Sequence, residues 1–243
     1  LQEIDRLEDV FSLYRAGSAL SRLNGDSVLD APPLELVECL GIAGAVHTAT
    51  GGAFDPTVQP LWAAYANAHA AGRVPTDEML VEARSRVGWS RVTVAPSRIA
   101  LARTGMALTL NGIAQGYIAD RVAKMLEARG MDRILIDTGE FVALGGMPDG
   151  TPWSVSIEHR GAVALRDRAL ATSAPLGTSF DQEGTVGHIL DPRTGLPAKG
   201  SAQVVSVTAP TAALADALST GLCLLDPRER DAAIGQLRGC RLV

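Results

Sequence analysis

The 243-residue sequence contains no apolar run approaching the roughly 20 residues needed to cross a bilayer as a helix. It has no basic excess either: 22 Lys and Arg against 27 Asp and Glu leave a net charge of -5, with a pI near 5.4. A nucleic-acid binder needs a positive face to meet phosphates, so that class of partner is excluded. Cysteine is scarce. Cys39, Cys223 and Cys240 are far apart, form no metal-type spacing, and by their odd number exclude a fully paired disulfide framework. Cys39 and Cys223 lie in apolar stretches and read as core residues. No repeat or low-complexity linker is present, nor any HExxH, cysteine-pair zinc pattern or Ser-His-Asp order. What remains is ordinary globular composition, 47% hydrophobic and 20% charged, enough for a sizeable core or two small lobes. The chain opens at Leu1 within a helical period and shows no signal peptide, so a targeting segment or anchor is expected to precede it.

Apolar residues at helical spacing predict helices over 1–16 and 33–49, the second stopped by Gly51-Gly52. Thr76-Asp77-Glu78 reads as a helix start, with acidic residues favouring the N-terminal dipole. Three β-rich pieces follow at 91–95, 98–102 and 106–110, separated by Pro96-Ser97 and Thr104-Gly105. The clearest helix is 113–129, with Ile113, Tyr117, Val122, Met125 and Leu126 as its buried stripe and Gly130 as its stop. The apolar centre of 133–137 suggests a strand covered on both faces. Further strands are expected at 153–158, 169–173, 186–190 and 203–208, and a buried Ala- and Leu-rich helix at 211–225. This pattern predicts an α+β fold in one unit over 1–243, with packed helices on mixed or antiparallel sheets.

Four segments carry chemistry. In GGAFDPTV, at 51–58, paired glycines admit close approach of a ligand and Asp55-Pro56 sets a carboxylate at a turn; the plain alternative is a helix-ending loop. In NGIAQGY, at 111–117, a glycine precedes a helix whose free N–H groups suit a phosphate. ATS at 171–173 is followed by HILDPRTG at 188–195, where His188 stands just before a tight turn and has a proton-shuttling side chain near neutral pH. In ADALST, at 215–220, Asp216 and Thr220 are four apart on one helix face and offer hard oxygen ligands suited to Mg²⁺, or else a hydrogen-bonded polar pair.

Together and in this order, with Phe11-Ser12-Leu13-Tyr14 and the stretch 18–24 ahead of them, these segments resemble the ApbE family of FAD:protein FMN transferases. The resemblance runs to about Leu225 and implies an α+β fold often described as two related halves. It implies FAD as substrate, Mg²⁺ at its pyrophosphate, AMP as the leaving group, and an acceptor flavoprotein that takes FMN on a threonine or serine hydroxyl. An exported, periplasmic location goes with it, membrane attachment coming only through a preceding anchor. By the same resemblance, Tyr14 packs on the isoalloxazine ring, Ala53, Phe54 and Asp55 form a loop contacting FAD, and Leu190 is a flavin contact. Gly112 offers a carbonyl to the metal, Asp216, Ser219 and Thr220 form the metal-side helix, and His188 is the base. Thr109 and Gln115 also fall at FAD-binding positions of the family, where an aspartate and a lysine are usual. The chain also reads Asp137-Thr138-Gly139-Glu140 in place of an asparagine–glycine–glycine–aspartate stretch. The alternative function is an ApbE-like module that holds flavin without transferring it.

Overall fold

Acidic Glu3 and Asp5 in the first turn and buried Leu7, Val10 and Phe11 define helix α1, Gln2–Phe11. The computed structural model describes residues 2–157, 161–198 and 204–243, so Leu1 lies outside the described residues. The helix stops short of the expected end at 16. The Ser12 hydroxyl accepts the N–H groups of Tyr14 (3.1 Å) and Arg15 (3.2 Å), diverting the backbone into a turn. Ser18 then caps α2, Ala19–Asp26, which the hydrophobic pattern did not announce. After strand β1 (Val28–Asp30), helix α3 occupies Leu34–Ala49 as expected, and Gly51 and Gly52 follow it at φ 59° and 81°. Asp55 caps a 3₁₀ turn, Pro56–Val58, leading into an unanticipated α4, Gln59–Ala70. Thr76 caps α5, Asp77–Ser85, where the sequence predicts a helix start.

Strands β2 (Val92–Ala95) and β3 (Arg98–Leu101) form the expected hairpin, and β1 pairs with β3 to complete a three-stranded antiparallel sheet. The strand predicted at 106–110 is not formed. Its polar backbone is occupied elsewhere: the Asn24 side chain bonds both the N–H (2.7 Å) and the carbonyl (2.8 Å) of Leu108, and Thr109 N–H donates to the Pro56 carbonyl (2.8 Å). Asn24 thus does the work of a partner strand for this segment.

The second sheet contains β4 (Ile134–Asp137), β5 (Phe141–Leu144), β8 (Arg168–Ser173), β9 (Val205–Ala209) and β10 (Arg241–Leu242), all antiparallel in the order β10-β9-β8-β5-β4. β4 is an edge strand and only half-buried, so the predicted cover on both faces is not realised. β6 (Trp153–Ile157) and β7 (Gly161–Leu165) form a separate hairpin. Glu158 and Gln203, at the ends of two predicted strands, lie outside the described residues. No strand forms at 186–190; only single bridges are present, Ser179 with Gly187 and Leu190 with Pro197. There Phe180 N–H donates to the Val186 carbonyl and His188 N–H to that of Thr178, so a looped segment satisfies itself.

Helix α7, Ala212–Leu222, is buried almost throughout, packed between β8 and β9 on one side and α3 and α6 (Ala114–Glu127) on others. Each fully buried leucine on it, Leu218 and Leu222, contributes about 1.5–3 kcal/mol by leaving water. The small face of α6 lets the two helices approach: a Cβ at Gly116 would stand 2.4 Å from the Ala212 carbonyl oxygen. One turn on, the Asp120 carboxylate accepts the first free N–H groups of α7, from Ala212 (2.7 Å) and Ala213 (2.9 Å). The buried stripe of α6 accordingly runs through Gly116, Tyr117, Ala119 and Ala123, while Val122, Met125 and Leu126 are only half-buried. A short helix α8, Pro227–Gln236, closes the chain behind a capping box of Asp226 and Glu229. Cys39 and Cys223 are buried free thiols, as their apolar surroundings suggest, and Cys240 is a third. No helix among the described residues is long and apolar enough to cross a membrane.

Candidate active site

Close packing of α6 on α7 brings the start of one helix and the middle of the other to the rim of a cleft of about 350 Å³. Ala53, Phe54 and Asp55 reach it from the loop after α3, and Thr109, Gly112 and Gln115 from the approach to α6. Of these, Gln115 already lies in the first turn of α6; His188 and Leu190 come from the looped segment 174–198, and Asp216 and Thr220 from α7. Two predicted site residues stand apart from this lining. Ser219 is fully buried behind it, its hydroxyl bonded to Ser173 (2.7 Å) and to the Asp216 carbonyl (3.0 Å). Tyr14 projects from the Ser12 turn with 84% of its surface exposed.

The α7 side of the cleft is buried and short of positive charge. Asp216, 5% exposed, accepts one N–H, from Gly116 (3.1 Å). Burial holds its carboxyl above the usual carboxylate range; that N–H pulls it down, and the charge of Asp120 pushes it further up. Glu140, the residue before β5, is 8% exposed, and burial followed by the charge of Asp216 raises it as well, against the pull of the Thr172 N–H. Its Oε2 is buried with no hydrogen-bond partner. Beside the two acids, the hydroxyls of Ser173 and Thr220 bond each other (3.2 Å), and Gly112 sits so close to Thr220 that a Cβ would come within 3.0 Å of its Oγ1. The N–H groups expected to be free at the start of α6 are largely taken: those of Ile113 and Ala114 donate to the Leu110 carbonyl, and that of Gly116 to Asp216.

On the loop after α3, Asp55 is committed to the fold. Its Oδ1 accepts the Thr57 N–H (2.8 Å) and hydroxyl (2.6 Å), and its Oδ2 the Trp89 N–H (3.2 Å). The side chain of Gln115 donates to the Thr138 carbonyl, lying over Gly139 at φ 97°, where a Cβ would collide with the amide. His188 is anchored through Nδ1 to the Thr178 carbonyl (2.8 Å). A carbonyl only accepts, so Nδ1 carries a proton, and in the neutral ring Nε2 keeps its lone pair. That is the state a general base requires.

The sequence profile of the ApbE family matches residues 1–242. The chain is 31% identical over 253 aligned positions to the FAD:protein FMN transferase of Vibrio cholerae, covering 96% of this chain and 75% of that protein. The chain belongs to the ApbE family. It is also 27% identical to the FAD:protein FMN transferase of Escherichia coli K12, over 93% of this chain and 70% of the relative. Among solved structures, the flavin transferase ApbE from Vibrio cholerae superposes with a TM-score of 0.81 at 28% identity, covering 99% of this chain and 82% of that one. The ApbE protein from Thermotoga maritima gives 0.87 at 27% identity, covering 99% and 82%. The mixed fold of helices on antiparallel sheets is therefore the ApbE fold.

Two cleft residues of this ApbE chain escaped the sequence reading. Ser173, within the ATS segment, joins the hydroxyls of Ser219 and Thr220 (2.7 and 3.2 Å). Glu140 stands in the segment noted above only for its departure from the family pattern. A signal was available for it: an acid directly after a glycine and before the apolar run 141–144 is placed at the mouth of a strand, where burial is common and charge is not.

Proposed function

We propose that this ApbE chain is an FAD:protein FMN transferase that moves FMN onto a threonine or serine hydroxyl of a partner flavoprotein. The observation that carries the reading is one cleft lined both by His188, anchored through Nδ1, and by the buried acid Asp216 with Thr220. A base and a charge-poor oxygen-donor wall are what a phosphoryl-group transfer needs on opposite sides of the reacting phosphorus. The acceptor hydroxyl oxygen attacks the phosphorus on the FMN side of the FAD pyrophosphate. A P–O bond forms there, the bridging P–O bond breaks, AMP departs, and the hydroxyl proton passes to His188 Nε2. The product is a phosphodiester-linked flavin.

The donor set fits Mg²⁺. Among the described residues no group of three or more His, Cys, Asp or Glu is poised to hold a metal. Mg²⁺ is typically held by one or two carboxylates together with substrate phosphates, so a dedicated all-protein cage is not required. Asp216, Thr220 and the Gly112 carbonyl would hold it; Ser219, expected beside them, is buried off the cleft with its hydroxyl already bonded. When bound, the ion would supply Lewis-acid stabilisation of the negative charge that builds on the pyrophosphate. The remaining side chains orient the substrate: Ala53 and Phe54 form an apolar edge, and Leu190 faces the same cleft. Tyr14 reaches the flavin ring from its exposed turn in this reading, and the protein works in an exported compartment.

A second reading, flavin binding without transfer, draws on Gln115: an amide bonded to Thr138 stands where a cation would meet phosphate. The two separate on incubation with FAD, Mg²⁺ and an acceptor flavoprotein used by one of the relatives. Flavin fluorescence that stays with the denatured acceptor, with release of AMP, is the expected result. Flavin that stays on this protein and is lost on denaturation supports the binding module instead.

A further inference from the structure

Three acidic side chains of the described residues are buried, and their environments differ sharply. Asp55 is satisfied by the N–H groups of Thr57 and Trp89 and the hydroxyl of Thr57. Asp216 accepts the N–H of Gly116. Glu140, with 92% of its surface removed from solvent, leaves Oε2 without any donor. Its backbone is not free to move away. The Thr138 N–H donates to the Glu140 carbonyl (3.2 Å), the Asp137 carboxylate accepts the Gly139 N–H (3.0 Å), and the Gln115 amide holds the Thr138 carbonyl. β5 begins at the next residue and is paired on both sides. The turn therefore presents Glu140 to the cleft that Asp216, Thr220 and Gly112 line.

No lysine or arginine among the described residues lines that cleft, and its one histidine is tied through Nδ1 to the Thr178 carbonyl. A buried carboxylate oxygen without donor or counter-ion is strongly disfavoured, so an acid kept in this position is built for a positive ligand. We propose that Glu140 is a direct ligand of the divalent cation, forming with Asp216 a two-carboxylate site at the pyrophosphate end of the cleft. The inference rests on the cation reading above and adds to it a residue from a different part of the chain. A pair of carboxylates with neighbouring hydroxyl and carbonyl oxygens suits a hard ion such as Mg²⁺ or Mn²⁺.

The test uses the full chain, stripped of metal and flavin, with ADP as the pyrophosphate probe and Mn²⁺ titrated by electron paramagnetic resonance. Glu140→Gln should weaken Mn²⁺ binding at least tenfold, and Asp216→Asn should do the same. Glu140→Asp, which keeps the charge, should bind within a few-fold of wild type. Thermal unfolding provides a second readout: Mg²⁺ should raise the melting temperature of the wild type more than that of Glu140→Gln. Mn²⁺ binding by Glu140→Gln equal to wild type, with Asp216→Asn defective, overturns the role of Glu140 and leaves the cation site standing. Equal loss in Glu140→Gln and Glu140→Asp also overturns it, since packing rather than charge would then be at work. Absence of Mn²⁺ binding by the wild-type protein overturns the cation reading as a whole.

Discussion

The two sides of the cleft are built on opposite principles. On the α7 side, Asp216 and Glu140 are buried with fewer partners than they can accept, and both titrate above the ordinary carboxylate range because burial disfavours their charge. In the looped segment 174–198, which supplies His188 and Leu190 to the cleft, the acids Asp181 and Asp191 lie off the lining and are satisfied within the segment itself. The Asp181 carboxylate accepts the N–H groups of Thr185 (3.0 Å) and Val186 (2.8 Å) and the Thr185 hydroxyl, bonds that hold it down at about 2. Asp191 is paired with the Arg193 guanidinium (2.8 Å), which also donates to the Leu224 carbonyl (3.1 Å). One wall is left unfinished within the protein; the other segment is finished by its own hydrogen bonds. The contrast separates acids with acceptor capacity left over from acids that hold a shape, although the sequence presents both simply as acids.

Substitutions that break this contrast should have graded effects. The largest is expected from Asp216→Ala, which removes the acid at the centre of the unfinished wall. Transfer of FMN in a gel fluorescence assay should fall by a hundredfold or more, several kcal/mol of charge stabilisation being lost. Wild-type transfer by a folded variant would place the charge-binding wall elsewhere. Next comes His188→Ala, in the finished segment. FAD affinity should be nearly unchanged while transfer slows by about a hundredfold or more, as loss of a general base does. If binding weakens and turnover does not, His188 belongs to the loop's packing.

Gly116→Ala sharpens the comparison from the side of stability. The added Cβ would meet the Ala212 backbone 2.4 Å away, so the α6–α7 contact under the unfinished wall must open. A loss of about 1–3 kcal/mol in urea unfolding is expected; an unchanged midpoint would mean the helices separate without cost. Gln115→Lys adds a cation to a cleft whose described lining holds no lysine or arginine. Tighter FAD binding is expected, by about 1–3 kcal/mol for a charged hydrogen bond, and the gain should be larger without Mg²⁺ than with it. Equal calorimetric affinities with and without Mg²⁺ would show that residue 115 does not meet the phosphates. The smallest effect belongs to Tyr14→Ala. At 84% exposure its loss should change stability by no more than about 0.5 kcal/mol. FAD affinity should drop by about 1 kcal/mol if the ring packs on the flavin, and an unchanged titration would leave Tyr14 a surface residue.

Much of the fold was legible locally. Helices α3, α6 and α7, the start of α5, and the β2–β3 hairpin follow from apolar period, caps and turn residues that act within a few positions. The errors share one cause. Helix α1 ends early because Ser12 captures two N–H groups, 106–110 is held by Asn24 from far along the chain, and 186–190 bonds to its own loop. In each case a side chain or a distant carbonyl competes for backbone groups that a periodic pattern assigns to regular structure. Helix α8 is a different miss, since the Asp226 and Glu229 capping box was in plain view.

By itself the sequence determined the class of the fold, the order of the motifs that mark the ApbE family, and the i, i+4 placement of Asp216 and Thr220 on a buried helix. These depend on local geometry, which spacing along the chain encodes directly. Only the tertiary structure decided which acids stand together. Glu140 meets Asp216 because β5 pairs with β8, α7 lies on β8, and α6 can settle on α7 only where Gly116 has no side chain. Each of those contacts spans a long stretch of chain and is selected by burial of the whole core, so no local pattern announces it. The same long-range packing left Asp55 bonded on both oxygens and Glu140 with one bare, a difference in environment that the letters D and E do not carry.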